Sequence, residues 1–380
     1  MKRLLIPLIT FAAAFAVLQL LLPYSLFAAE RDSLFLLTPD YLHEVFSEPL
    51  PVTHLLGAFF AQFFYFPYAG AALCALPVAI VAGLLARCFR RRWLKALPAL
   101  VLLTGLVVFA TNRKMRDGER LYRLEWCAER GRWDDILHIA TPRAARDNRT
   151  LTAYALLALT ESGQLGNRMF LYHIDGPENF DLADGANRSS YLFGATLYDR
   201  MGCPAEAVHR TFQSATYLHY STSFGTLRTL ARLYRQMGDD ALADKYAAIL
   251  NHSLFHRFTL HGQSPADADS TDYSLVPIVT QRLNVNVASL AVEGHQSPAM
   301  RERYLGILLA MRDLPSFVTV LQATYQGRPL PQHYQEALVA AEASNPTLDL
   351  SMFPIDNRLR TAFASKRFQG TYWDYLFVKE

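Results

Sequence analysis

Residues 4–29 are almost uninterruptedly apolar, and no other feature restricts the fold of this chain as much. A run of about 20 apolar residues matches the hydrocarbon core of a bilayer. Backbone placed there must satisfy its own hydrogen bonds, which restricts it to helix or closed barrel. Lys2 and Arg3 precede the run. A secretory signal opens the same way, but its apolar stretch is only about 7–15 residues and closes on a small-x-small cleavage site. Here the run is longer, Leu26-Phe27-Ala28-Ala29 is a poor cleavage site, and further apolar runs follow. We therefore expect an uncleaved helix.

Glu30 to Thr53 is a polar interlude carrying Asp32, Asp40, Glu44 and Glu48. Leu55 to Ala86 is apolar again, interrupted at Phe66-Pro67-Tyr68. Arg87, Arg90, Arg91, Arg92 and Lys95 then form a basic loop, and Ala96 to Ala110 is a third run, followed by Asn112, Arg113 and Lys114. Short loops rich in Lys and Arg stay on the cytoplasmic side. Residues 2–3 and 87–95 then share a side, so an even number of crossings separates them. The expected spans are 4–29, 69–86 and 96–110, with the Phe- and Tyr-rich stretch 54–66 interfacial or re-entrant. This topology carries everything after residue 112 out of the cytoplasm, into the periplasm of a bacterium with two membranes. Reading 54–66 as a fourth span carries it inside instead, the direction in which Arg113, Lys114 and Arg116 pull.

Beyond residue 112 the pattern changes. Charged residues make up 19% of the chain and apolar ones 51%, too apolar for disorder. A net charge of +3 supplies no electrostatic footprint for nucleic acid, and no nucleic-acid partner is expected. From Met115 on, apolar residues recur at helical spacing and short Gly-containing turns separate the segments, so the expected class is all-α. The clearest unit is Leu227-x2-Leu230-Ala231-x2-Tyr234-x3-Gly238-x4-Ala243, and Tyr191-x3-Ala195-x2-Tyr198-x3-Gly202-x4-Ala207 matches it. Weaker units centre on Gly131, followed by Trp133, and on Gly163 after Leu156 and Leu159. The four turn glycines are spaced by 32, 39 and 36 residues. The expected organisation is a membrane region over 1–112, helical repeats over 113–256, and a helical extension over 257–380 that ends in an aromatic tail. Such a tail is expected to dock as a cap.

The pattern large-x2-Leu-small-x2-Tyr, turn Gly and a small residue on the next helix resembles the tetratricopeptide repeat, with a period of about 34 residues. That resemblance covers mainly 115–256 and implies an α-solenoid that binds proteins or peptides. A second resemblance covers most of the chain. Phe59-Phe60-Ala61-Gln62-Phe63-Phe64-Tyr65-Phe66-Pro67 with Gly70-Ala71, the run Trp126-Cys127-Ala128 to Trp133, Arg168-Met169-Phe170, Tyr334-Gln335-Glu336-Ala337 and Thr371-Tyr372-Trp373 are similar to an uncharacterised bacterial membrane-protein family, a domain of unknown function. It implies a multi-pass membrane protein with a helical C-terminal part, and no functional residues.

Candidate sites are few. Arg228, Arg232 and Arg235 recur at helical spacing on one face of the first helix of the best repeat, and Arg200 holds a comparable place in the preceding unit. On a concave groove such arginines can hold an acidic peptide, a chain-terminal carboxylate or a lipid phosphate by bidentate hydrogen bonds. The plainer reading is a solvated basic face paired with carboxylates such as Asp239. His252 and His256 sit four residues apart with His261 nearby, but Ser253 stands where a zincin needs Glu. Asp267-x-Asp269-x2-Asp272 lacks the central Gly and terminal Glu of a calcium loop. No metal and no cofactor is therefore expected. Cys127 and Cys203 are far apart in sequence, and two buried thiols are the commoner outcome for such a pair. The signatures of nucleotide and hydrolase sites are missing.

The expected function is that of a membrane-anchored interaction or scaffolding module in the cell envelope, without catalysis, whose partners are the bilayer and an envelope protein or acidic peptide. The alternative is a membrane enzyme or accessory subunit in lipid-linked glycan transfer. Polytopic enzymes of that kind place an acid in the first outer loop, where Glu30, Asp32 and Asp40 lie here.

Overall fold

Proline sets the first break in the chain. Pro23 has no N–H to give, and its ring crowds the preceding turn, so a helix ends or kinks just before it. In the computed structural model, α1 (Leu5–Leu21) gives way at Leu22 to α2 (Pro23–Arg31), and the two axes differ by 77°. The sequence reading of one continuous helix over 4–29 is corrected here: only α1 is straight. The structure describes residues 5–66, 68–91, 93–182, 185–218, 221–256, 288, 297–325, 327–366 and 368–377. Among the described residues there are helices and no strand.

The chain divides into two compact units, each built from two stretches of sequence. The first contains the described residues within Met1–Trp126 and Thr211–Asp267, and the second those within Cys127–Arg210 and Ala268–Glu380. The division cuts across the three regions read from sequence, because the best repeat joins the apolar N-terminal region rather than the neighbouring repeats.

In the first unit, after α3 (Pro39–Phe46) and α4 (Pro51–Ala61), come α5 (Ala69–Arg87) and α6 (Leu97–Thr111). Two helical stretches, Ala69–Arg87 and Leu94–Thr111, are long and apolar enough to cross a membrane, and the bent pair α1–α2 makes a third if it is one span. Residues 54–66 are not among them: they lie in α4 and a short 3-10 turn, Gln62–Tyr65. The buried face of α5 is a stripe of small residues, Gly70, Ala71, Ala75, Ala79, Ala82 and Ala86. Ala71 and Ala75 share a core with Ala14, Leu18 and Leu22 of the first helical segment and Ala110 of α6. Small side chains allow such close helix approach by dispersion contacts alone.

The same unit contains α7 (Arg113–Glu129) as far as Trp126, and the hairpin α14 (Phe224–Gln236) with α15 (Asp240–Asn251). Phe224, Leu227 and Leu250 of the hairpin pack with Leu34, Phe35, Leu36, Tyr41, Val45 and Ala58. Two backbone bonds tie the extended stretch after α2 to the hairpin: Phe224 N–H donates to Ser33 O (2.9 Å) and Leu37 N–H to His252 O (2.9 Å).

The second unit is built around α10 (Arg149–Glu161), whose residues Leu151–Thr160 are all buried. A helix apolar all round belongs in the centre of a bundle. The unit also contains α8 (Trp133–Ile139), α9 (Pro142–Ala145), α11 (Leu165–Arg168), α12 (Arg188–Arg200), most of α13 (Pro204–Ala215), α16 (Pro298–Ala310), α17 (Leu314–Thr324), α18 (Gln332–Ser344), α19 (Asn357–Ala364) and α20 (Tyr372–Phe377). The aromatic tail is buried as α20: Trp373 Nε1 donates to Glu336 O (2.7 Å) and Tyr375 Oη to Ala310 O (2.5 Å).

One turn recurs in both units. Gly131, Gly163, Gly202 and Gly238 all have positive φ, from 63° to 80°. At each, the next residue's N–H reaches back five residues, as Asp239 does to Tyr234 O, while the glycine N–H reaches back three. This is the Schellman termination, which needs a left-handed residue and favours glycine. A fifth copy follows α16, where Arg312 takes the left-handed place at φ 61° and Asp313 N–H donates to Leu308 O (3.0 Å). In two of the five turns an aspartate then caps the following helix: Asp239 accepts from Leu242 N–H and Asp313 from Ser316 N–H. Pro298–Thr324 is therefore a helix hairpin of the same kind, inside the stretch that the sequence reading gave only as a helical extension.

Candidate functional site

The densest group of buried charges lies at the end of α2, within the first unit. The 77° bend delivers the last two residues of α2, Glu30 and Arg31, into the protein interior. Its N-terminus is held by Glu119 of α7, whose carboxylate accepts from Tyr24 N–H (2.8 Å), Ser25 N–H (2.7 Å) and Ser25 Oγ (2.5 Å). This supplies partners to N–H groups that the first turn of any helix leaves open. Burial pushes the Glu119 carboxyl above the usual carboxylate range, and these hydrogen bonds oppose the shift.

Glu30 is fully buried. His256 Nε2 lies 3.0 Å from its Oε1, Arg228 Nη1 donates to Oε1 (3.3 Å) and Arg228 Nη2 to Oε2 (3.4 Å). The His256 ring is packed by Phe224 and Tyr65, at centroid distances of 4.2 and 5.0 Å. Arg31 binds Glu125 of α7 and reaches Asp32 (3.4 Å). Gly225 lets α14 lie on Arg31, because a Cβ there would collide with the Arg31 side chain and carbonyl. Two opposite-charge groups, Glu30–Arg228–His256 and Arg31–Glu125–Asp32, thus occupy consecutive residues of one helix end. Buried charges persist only where partners and hydrogen bonds offset their lost hydration.

Asp32 also lines a cavity of about 520 Å³, with Ala29, Leu34, Leu50, His54 and Ala58 among its walls. Its lining is largely apolar, with Asp32 and His54 as the titratable groups, and it adjoins α4, whose Val52, Leu56 and Phe60 are exposed.

The sequence candidates are distributed as follows. Arg228 faces Glu30. Arg232 donates to Gln236 Oε1 (3.1 Å), and Arg235 binds Asp244 and lies 3.6 Å from Asp240. Arg200 belongs to the second unit, stacks over Trp133 at 5.2 Å, and lies 3.9 Å from Glu161. His256 meets Glu30 rather than His252, and His261, Asp267, Asp269 and Asp272 lie outside the described residues. Among the described residues no group of three His, Cys, Asp or Glu side chains is arranged to hold a metal ion. Of the three acids in the interlude, Glu30 is buried in the cluster, Asp32 joins cluster and cavity, and Asp40 is exposed on α3. Cys127 and Cys203 are buried free thiols, and burial pushes Cys203 up to about 12.

Sequence reasoning missed Glu125 and His54. Glu125 carried a usable signal: it sits beside Leu124 and before Cys127 and Ala128, an acid on the buried face of an amphipathic helix. His54 carried none, since its role depends on the approach of residues 29–34.

No curated protein matches the chain, and no solved structure does. A family profile matches residues 1–117 and 99–379, nearly the whole sequence, and agrees with the resemblance carried by the aromatic and Trp-containing segments. The chain belongs to the family of unknown function DUF6057.

Proposed function

We propose that this protein is a membrane-anchored helical-repeat scaffold of the tetratricopeptide kind, which binds another envelope protein and catalyses no reaction itself. The recurring turn carries this reading: five helices end in the same left-handed Schellman geometry. Stacked hairpins build binding surfaces without cofactors or catalytic groups. The membrane part of the reading is supported by the surface of the apolar helices. Leu8, Leu20, Ile80, Leu100, Val101 and Val108 are each at least half exposed, a burden in water and none in lipid. The basic loop at 87–95 supports three crossings with α4 in the interface, the topology in which the repeats lie in the periplasm. The test is a pair of fusions after Glu380: alkaline phosphatase, active outside the cytoplasm, and a fluorescent protein that matures only inside. Phosphatase activity is expected, and fluorescence in its place overturns the topology.

A second reading is favoured by the cavity beside Asp32 and His54. An apolar chamber between the end of α2 and α4, with an acid and an imidazole in its wall, suits the headgroup end of a lipid-linked substrate. In that reading the protein is an enzyme or accessory subunit of lipid-linked glycan transfer. Loss of the cellular phenotype in Asp32→Asn, with normal protein level, selects this reading; an unchanged phenotype removes it.

A further inference from the structure

We propose that the arginine face of α7 is a binding surface for the headgroups of anionic phospholipids. The proposal rests on the membrane part of the scaffold reading and adds the class of lipid that the protein selects. Arg113, Arg116, Arg120 and Arg123 recur at steps of three and four residues, which sets them on one face of α7, and all four are exposed. Arg116 and Arg120 have no side-chain partner among the described residues. Arg113 meets Asp117 at 3.8 Å, but the two side chains are 96% and 64% exposed, and an ion pair that open to water is weak. Glu119 is committed to the start of α2, where it accepts from Tyr24 and Ser25, although Arg123 attracts it at longer range. The face therefore carries a surplus of positive charge that the described residues leave unbalanced.

The position of this face decides what it can meet. Asn112, with ψ at 141°, breaks the helix between α6 and α7, so α7 does not prolong α6 as one straight rod. Met115, in the first turn of α7, packs on the core that Ala14, Leu18, Leu22 and Ala110 share. Glu119 then holds Tyr24 and Ser25, just past the end of α1 at Leu21, and the Arg123 guanidinium lies 5.6 Å from the centre of the Tyr24 ring. From its first turn to Arg123, α7 thus stays beside the ends of α1 and α6. Those ends are themselves exposed and apolar: Leu20 is 78% exposed, Val108 64% and Phe109 54%. Exposed hydrocarbon stops at Phe109 and exposed cations begin at Arg113, which is the order of acyl chain and headgroup in a lipid leaflet.

The chemistry of the ligand follows. A guanidinium donates only, and its planar fork matches two oxygens of a phosphate group. Basic segments beside a membrane helix attract anionic lipids, and each cation adds to the attraction. The phosphate of a zwitterionic lipid brings its own cation, which cancels this attraction, whereas phosphatidylglycerol keeps a net negative charge. An acidic protein segment offers the charge without the hydrocarbon, so the apolar residues directly before Arg113 favour the lipid.

The experiment uses the full chain in neutral detergent micelles. Phosphatidylglycerol and phosphatidylcholine with the same acyl chains are titrated in, and their dissociation constants are read by native mass spectrometry. Phosphatidylglycerol should bind more tightly. Arg116→Gln/Arg120→Gln should weaken it by about 25-fold, at about fivefold for each cation, and leave phosphatidylcholine unchanged. Both side chains are exposed, so the melting temperature should hold, and Arg116→Gln alone, at about fivefold, keeps the test open should the double variant unfold. The loss should recur in Arg87→Gln/Arg90→Gln/Arg91→Gln, which removes the competing basic loop. Equal binding of the two lipids, a preference that survives the α7 substitutions, or capture of a hexaglutamate peptide in place of the lipid overturns the proposal. Alkaline carbonate extraction of cell membranes reports the anchoring separately. A chain that resists extraction yet shows no preference overturns this proposal alone, and a chain that is extracted overturns the membrane reading with it.

Discussion

Arg31 and Glu125 offer the sharpest energetic test, because both side chains are almost wholly removed from water, at 3% and 0% exposure. Removing Arg31 takes a close ion pair from the fully buried Glu125 carboxylate, which costs about 3–5 kcal/mol. For a unit of this size each kcal/mol moves the melting temperature by about 2–4 °C. Arg31→Met, which keeps the stem packed on Gly225, should therefore lower it by about 6–20 °C, and Glu125→Leu by less, because Asp32 still lies 3.4 Å from Arg31. Arg31→Met/Glu125→Leu leaves neither charge of the pair stranded. Asp32 loses Arg31 at 3.4 Å in that variant, but its side chain is 25% exposed and reaches water. Replacement of a buried pair by apolar residues is often neutral, so the double variant should melt within about 4 °C of the parent. The assay is thermal unfolding of the full chain in micelles, by intrinsic fluorescence, with the coupling taken from the four-member cycle. Additive single effects, or single effects below about 1 kcal/mol, would show that the pair does not hold α2 to α7, and the argument from burial would fail.

Three further outcomes can be checked on the same material. Gly163→Ala and Gly238→Ala introduce a Cβ that meets nothing within 4 Å, so only the left-handed backbone is penalised, by about 1–2 kcal/mol, and the Asn variants should lose less in the same melts. In the second unit, Glu161, Asp181 and Glu302 have carboxyls raised by burial, so their stability contribution is complete below the ordinary carboxylate range and is lost as pH rises through their elevated values. The melting temperature should therefore gain as pH falls through those elevated values, and Glu161→Gln should reduce that gain. Maleimide should label exposed Cys88 in the native protein and reach buried Cys203, whose thiol is pushed up to about 12, only after unfolding, as read by peptide mass.

What could be read from the sequence depended on whether its cause was local. Gly131, Gly163, Gly202 and Gly238 announced their turns because a left-handed C-cap selects glycine wherever it occurs. The fifth turn went unread because Arg312 occupies that place; only the shared Met-x-Asp of 237–239 and 311–313 could have revealed it. Arg312 has work elsewhere, donating to Tyr375 O (3.1 Å) and stacking on the Tyr375 ring at 5.1 Å, which gives a reason for a side chain at a position that favours none. The break at Leu22 had its signal in Pro23, but the apolar run on either side outweighed it. The cluster at Glu30 was illegible for a different reason. Glu30, Asp32 and Asp40 look alike along the chain, and their fates differ only because Arg228 and His256 arrive from a distant hairpin. The helical spacing of Arg228, Arg232 and Arg235 marks one face in the sequence, yet a face does not disclose that its first member turns toward a buried acid.

The ion pair between Glu30 and Arg228 joins residues 198 positions apart. Ribosomes add about 5–20 residues each second, so Glu30 leaves the tunnel about 10–40 s before its partner does. During that interval α1, α5 and α6 have all been made, while the groups that neutralise the end of α2 have not. The first unit is finished only after residues 127–210 of the second have emerged, and the second only after the first has closed. Nascent chains of this protein therefore pass through a stage in which the apolar helices have been made and the Glu30 carboxylate still lacks Arg228 and His256, a charge that the finished fold conceals.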